Sequence, residues 1–120
     1  MGIVKDFMST PVLSVDVNAT VEDAAKEMLE KGVSCLLVNE GEEPVGLLTA
    51  SDLVKKVMAK GLDPKTTKTE SIMSKPIISL NHYLTRSDAN VLMQRNKIKH
   101  LAVTDKKSVI GILTPKDMIA

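Results

Sequence analysis

Aromatic side chains are almost missing from this 120-residue chain: Phe7 and Tyr83 are the whole complement, and there is no tryptophan. A surface that stacks unpaired bases draws on several aromatics, so single-strand nucleic-acid chemistry is poorly supplied. The one cysteine, Cys35, excludes an internal disulfide and fits a reducing compartment, so a cytoplasmic location is expected. Two histidines and one cysteine, far apart, offer no metal-ligand spacing, and no metal site is expected. No apolar run approaches the ~18 residues a membrane-spanning helix needs, which argues against a membrane partner. The opening Met1-Gly2-Ile3-Val4-Lys5-Asp6 lacks the apolar core of a secretory signal, and no hydroxyl stands at position 6 for the myristoylation pattern. Glycine-rich phosphate loops, nucleophile elbows and metal motifs are missing too, and nothing pairs an Asp with a His as base and orienter. No catalytic residue and no cofactor are therefore expected, and the chain reads as a non-enzyme.

What is present is ordinary for a folded chain: 43% hydrophobic and 26% charged residues. The length suffices for a core. The net charge of +1 hides an asymmetry: residues 1–65 carry seven basic and eleven acidic side chains, or −4, and residues 66–120 carry nine and four, or +5. The second half is the better place for an anion, unless the difference is only solvated surface.

The chain repeats itself at an offset of 65 residues. Met8-Ser9-Thr10-Pro11-Val12-Leu13-Ser14-Val15 matches Met73-Ser74-Lys75-Pro76-Ile77-Ile78-Ser79-Leu80. Thr20, Asp23, Ala24 and Met28 match Thr85, Asp88, Ala89 and Met93, and Gly46, Leu48, Thr49 and Asp52 match Gly111, Leu113, Thr114 and Asp117. Fourteen of the 49 pairs aligned from residue 6 to 54 are identical without a gap, far beyond chance, so the chain arose by duplication.

Each copy reads as β-α-β-β-α. An extended piece follows the proline at Val12–Val15 and Ile77–Leu80, since proline disfavours helix before it. Helices are expected over Thr20–Lys31 and Thr85–Asn96, opened by Thr-x-x-Asp capping boxes, with Val21, Ala24, Ala25, Met28 and Leu29 at 3,4 spacing in the first. The runs Cys35–Asn39 with Val45–Thr49, and Leu101–Thr104 with Val109–Thr114, suggest hairpins. A last helix is expected from Ala50 to about Lys60, and from Pro115 to the chain end. The division expected is repeat 1 over 1–62, a polar linker over 63–70 and repeat 2 over 71–120. A ~50-residue copy buries little alone, so an α/β (α+β) pseudo-twofold pair is expected, with two equivalent clefts between the copies.

The sharpest motif is Gly46-Leu47-Leu48-Thr49-Ala50-Ser51-Asp52 and its copy Gly111-Ile112-Leu113-Thr114-Pro115-Lys116-Asp117. The Thr-x-x-Asp spacing fits one more capping box. It also fits a binding turn: a helix start after a strand favours phosphate, and a carboxylate there can accept from both hydroxyls of a ribose. Spacing alone leaves both open.

The repeated Met-x-x-Pro opening, the Leu-x-Val strand and the Gly-apolar-apolar-Thr-x-x-Asp closing resemble CBS (cystathionine-β-synthase) domains. The resemblance covers about residues 6–119 and occurs in both copies. It implies a paired module binding AMP, ADP, ATP or S-adenosylmethionine. In such a module the Asp holds the ribose, the Thr contacts ribose or phosphate, and the strand after Met-x-x-Pro lines the adenine position. The resemblance thus implies a first site of Thr49, Asp52, Ser74, Ile77 and Ser79, with Cys35 at the phosphate position. It implies a second of Thr114, Asp117, Ser9, Val12 and Ser14, with Lys99 and His100 at the phosphate end and Lys116 beside Asp117. Cys35 is no cation, which leaves phosphate binding at the first site without support. Lys99 and His100 could equally form an ordinary strand end, and a small buried thiol is the default for Cys35.

The expected function is a ligand sensor acting on another polypeptide, since no effector domain is evident on the chain, with a homodimer implied by the resemblance. The alternatives are an assembly module with vestigial clefts, and last a nucleic-acid-binding accessory protein.

Overall fold

A computed structural model describes residues 2–119. Two three-stranded sheets carry the duplicated pattern, in the orders β1-β2-β3 and β4-β5-β6. In the first, β1 (Ser14–Asp16) runs parallel to β2 (Cys35–Glu40), and β3 (Glu43–Thr49) returns antiparallel. In the second, β4 (Ser79–Asn81), β5 (Leu101–Asp105) and β6 (Ser108–Leu113) repeat the arrangement. Even the irregularity is duplicated, because the register slips between Val38 and Asn39 and again between Val103 and Thr104.

A helix makes each parallel crossover, as parallel strands require. α1 (Val21–Lys31) starts where Thr20 Oγ1 accepts from the Asp23 N–H at 3.1 Å, and it ends on Gly32 in the left-handed conformation. α3 (Arg86–Asn96) opens with the full reciprocal box, the Asp88 carboxylate accepting from the Thr85 N–H at 3.0 Å. Both threonines thus cap as expected, while the reciprocal box forms at Thr85 and Asp88 and only its threonine half at Thr20. Two of the five apolar positions expected to face inward on α1 do not: Ala25 is exposed, and Leu29 is 85% exposed. The 3,4 spacing runs wider than the stripe the sheet covers, so only Val21, Ala24 and Met28 are buried.

The packing units are cut differently from the repeats. One unit is Leu13–Ile77, with a core of Val17, Val21, Ala24, Met28, Leu36, Val38, Leu48, Val57 and Ile72. The other joins residues 2–12 to residues 78–119, around Val4, Leu80, Ala89, Met93, Leu101, Val103 and Leu113. Each Met-x-x-Pro leader thus packs on the other repeat's β-hairpin. Leu47 exchanges both backbone hydrogen bonds with Ser74, at 3.0 and 2.8 Å, and Ile112 does so with Ser9, at 3.1 and 2.8 Å.

Glycine makes this approach possible. A Cβ on Gly46 would stand 2.5 Å from Met73 Sδ and 3.1 Å from the Ser74 carbonyl, and a Cβ on Gly111 would run into Met8 Sδ. The Met of the leader and the Gly of the closing motif are two halves of one contact.

The stretch expected as a linker is fastened down. The Pro64 and Thr67 carbonyls accept from the Glu22 and Val21 N–H groups at 3.1 and 2.9 Å, at the start of α1. The fully buried Thr69 donates its hydroxyl to the Asp16 and Val17 carbonyls at 2.8 and 3.2 Å. The closing helix of the first copy has about the expected extent but changes type, and that of the second is short. α2 (Ala50–Asp52) passes directly into a π-helical segment, Leu53–Met58, and the second copy ends in a single 3-10 turn, Pro115–Met118.

Candidate functional site

The first candidate site is built where β3 turns into α2. Cys35 and Thr49 face each other in the β2–β3 register, and the Ala50 N–H donates to the Ser34 carbonyl at 2.9 Å. This fixes Thr49 as the N-cap: its Oγ1 accepts from the Asp52 N–H at 3.2 Å, and Asp52 Oδ2 accepts from the Thr49 N–H at 2.9 Å. The Asp52 carboxylate is buried, and its Oδ1 accepts from the Ser74 hydroxyl at 3.4 Å. Repeat 1 therefore supplies the carboxylate and the leader of repeat 2 the serine, inside one packing unit. Ile77, half-buried, closes the same unit, whereas Ser79 opens β4 in the other.

Cys35 is the residue least suited to the phosphate position. Burial first, and the Asp52 charge second, push its thiol up to about 12, so it stays neutral in ordinary buffers. A cation does stand at this site, and it is Lys56. Its Nζ lies 3.1 Å from Asp52 Oδ1 and donates to the Ile72 carbonyl at 3.0 Å. Lys56 was not among the residues expected here. The signal was present, an acid four residues before a lysine in an expected helix, but the same spacing describes ordinary surface pairs.

The second site repeats the turn with different detail. Asp117 Oδ2 accepts from the Thr114 N–H at 2.8 Å and from Thr114 Oγ1 at 3.2 Å, and the Asp117 N–H donates to the Thr114 carbonyl at 2.9 Å. Pro115 has no N–H to offer the residue equivalent to Ser34. Ser9 sits on Ile112 through its backbone, and Val12 is half-buried in the same unit. Lys99 and His100 lie just ahead of β5, the lysine exposed and the histidine half-buried, and Lys116 is exposed on the turn itself. Ser14 opens β1 in the other unit. Among the described residues, no lysine or arginine reaches ion-pair distance of Asp117.

Among the described residues, no group of His, Cys, Asp or Glu could hold a metal ion, and no helix is long and apolar enough to cross a membrane. The arrangement offers binding chemistry: two carboxylates, each held by its own turn, beside a leader from the opposite repeat.

Comparison with known proteins fits this geometry. The family model described as CBS domain matches twice, at residues 4–59 and 70–120. The CBS domain-containing protein YhcV of Bacillus subtilis is 33% identical over 118 residues, covering 98% of this chain and 84% of that protein. A putative signal-transduction protein with CBS domains from Burkholderia ambifaria superposes with a TM-score of 0.89 at 29% identity, over 97% of this chain and 90% of that one. A hexameric CBS-CP12 protein from bloom-forming cyanobacteria gives 0.90 at 32% identity, over 98% and 69%.

Proposed function

The chain belongs to the CBS domain family, and from that premise we propose that it is a regulatory module binding adenosine-bearing ligands and passing their occupancy to a partner polypeptide. The ligand class is AMP, ADP, ATP or S-adenosylmethionine, taken at the turns Thr49–Asp52 and Thr114–Asp117. The observation that carries this reading is the pair of anchored carboxylates. Each is fixed by its own threonine N–H, at 2.9 and 2.8 Å, next to a leader that enters from the other repeat. A ligand touching both turn and leader bridges the repeats, and it transmits a signal only if it binds one arrangement better than another.

Titration calorimetry of wild type, Asp52→Ala and Asp117→Ala with AMP, ATP and S-adenosylmethionine tests the reading. If Asp117 only caps its turn, Asp117→Ala costs about 1 kcal/mol of stability and leaves affinity alone. If it holds a ribose, two charge-assisted hydrogen bonds are lost and affinity falls roughly a hundredfold or more. Exposed Lys99 and Lys116 favour ligands with two or three phosphates at this second site. No binding of any of the three ligands to wild type defeats the reading.

Assembly is the second reading, and one observation favours it: Val54 and its repeat equivalent Ile119 are 61% and 76% exposed, with Met58 at 74% and Leu29 at 85%. Val54 and Met58, four residues apart on one helical segment, are the kind of exposed apolar pair that a self-associating surface would cover.

A further inference from the structure

The two carboxylates are equivalent in sequence and unequal in their partners. An ionised carboxylate has about four acceptor positions. Asp52 commits three: Oδ2 to the Thr49 N–H, and Oδ1 to Lys56 Nζ and the Ser74 hydroxyl. On Asp117, Oδ2 accepts twice, both times from Thr114, and among the described residues no lysine or arginine lies within ion-pair distance of the carboxylate. A ribose diol donates two hydrogen bonds. On Asp52 one position is left for the two, so a diol there must displace a donor, and that donor set includes a lysine that Asp117 lacks among the described residues.

Of the two donors on Asp52 Oδ1, Lys56 is the stronger competitor. It is charged and closer, 3.1 Å against 3.4 Å, and its ammonium is also held by the Ile72 carbonyl at 3.0 Å. The carboxylate side chain is only 10% exposed, so solvent weakens the pair less than at an open surface. Lys56 sits in the π-helical segment that begins directly after Asp52, a helix type found frequently at functional sites.

We propose that Lys56 is an internal competitor for the ribose diol at the first site. It rests on the reading that Asp52 and Asp117 hold a ribose. A nucleoside binds Asp52 only as the Lys56 ammonium leaves, and the second site fills first. Departure of Lys56 also frees the Ile72 carbonyl, next to the leader that carries Ser74. Occupancy of the first site thereby loosens a tie between the closing helical segment of repeat 1 and the start of repeat 2.

The test uses the full chain and adenosine, which has the diol and no phosphate for a lysine to attract. Calorimetry is run in an Asp117→Ala background, which isolates the first site. Lys56→Met should raise adenosine affinity roughly fivefold or more, and Lys56→Arg should not. A gain of affinity cannot come from a damaged fold. Unchanged or weaker binding in Lys56→Met overturns the proposal, as does a gain from Ser74→Ala with none from Lys56→Met. In either case adenosine binding to wild type through Asp117 leaves the ribose reading intact. Adenosine binding to no variant and not to wild type overturns both.

Discussion

At two turns where the first repeat has glycine the second has lysine, and the backbone conformation is the same. Gly32 has φ 66° and Lys97 φ 55°, while Gly41 has φ 64° and Lys106 φ 58°. The left-handed region brings Cβ against the carbonyl, at a cost of about 1–2 kcal/mol that glycine escapes. Glycine returns part of this through the greater freedom of the unfolded chain. Lys97→Gly should therefore stabilise the protein by about 0.5–1 kcal/mol in urea denaturation, and Gly32→Lys should destabilise it by a similar amount. Cys35 gives a prediction in pH. Its folded thiol ionises at about 12, above the usual value of 9.0, because of burial and then Asp52. Between those values the unfolded chain has lost the proton and the folded chain has kept it, so stability falls as pH rises. The contribution is whole below the unfolded value and gone above the folded one. Wild type should lose more stability than Cys35→Ala between pH 7 and pH 10, and equal losses would show that the thiol is not buried as described.

Among the elements, what was legible in sequence is what neighbours along the chain decide. Thr20 and Thr85 announce α1 and α3 because capping uses residues three apart, and both hairpins follow from apolar runs broken by turn residues. Contacts across the chain were not legible. Nothing local to Thr69 says that its hydroxyl will be buried on Asp16 and Val17 carbonyls more than 50 residues away. Nor does Leu29 differ in spacing from Met28, although the sheet covers one and leaves the other to solvent. At the candidate site the two aspartates were found by their motif, but Lys56 shares its spacing from Asp52 with any i,i+4 surface pair, and spacing does not say which such pair is buried. The repeated Met and Gly were visible as marks of duplication, and their crosswise contact was not. That contact can be tested as a coupling. Gly111→Ala should cost about 1–3 kcal/mol by overpacking against Met8. The cost should shrink, without vanishing, in a Met8→Ala background, which removes Met8 Sδ and Cγ but keeps Met8 Cβ 3.0 Å from the new Cβ. Gly46→Ala should be rescued only in part by Met73→Ala, because the Ser74 backbone carbonyl remains 3.1 Å from the new Cβ. Additive costs in both thermodynamic cycles would contradict the packing.

For the whole molecule the question is what covers its exposed apolar side chains. Twofold dimers are the commonest assembly of soluble chains, and an isologous contact presents the same residues from both copies. Duplication gives this chain a second way to the same end, since Val54 and Ile119 are repeat equivalents and both are exposed. Two copies meeting head to tail would set the −4 half of each against the +5 half of the other. The two forces respond differently to salt. Apolar burial is little affected by moderate salt, whereas attraction between exposed charges fades once the Debye length falls to ~3 Å near 1 M. A homodimer is expected by sedimentation at micromolar concentration, and Val54→Glu with Ile119→Glu should shift it to a 13.0 kDa monomer. If the halves steer the arrangement, raising salt from 0.05 to about 0.5 M should weaken the wild-type dimer. A dimer indifferent to salt but abolished by the two glutamates would assign the contact to apolar burial alone, and a wild-type monomer at every concentration would remove the assembly reading.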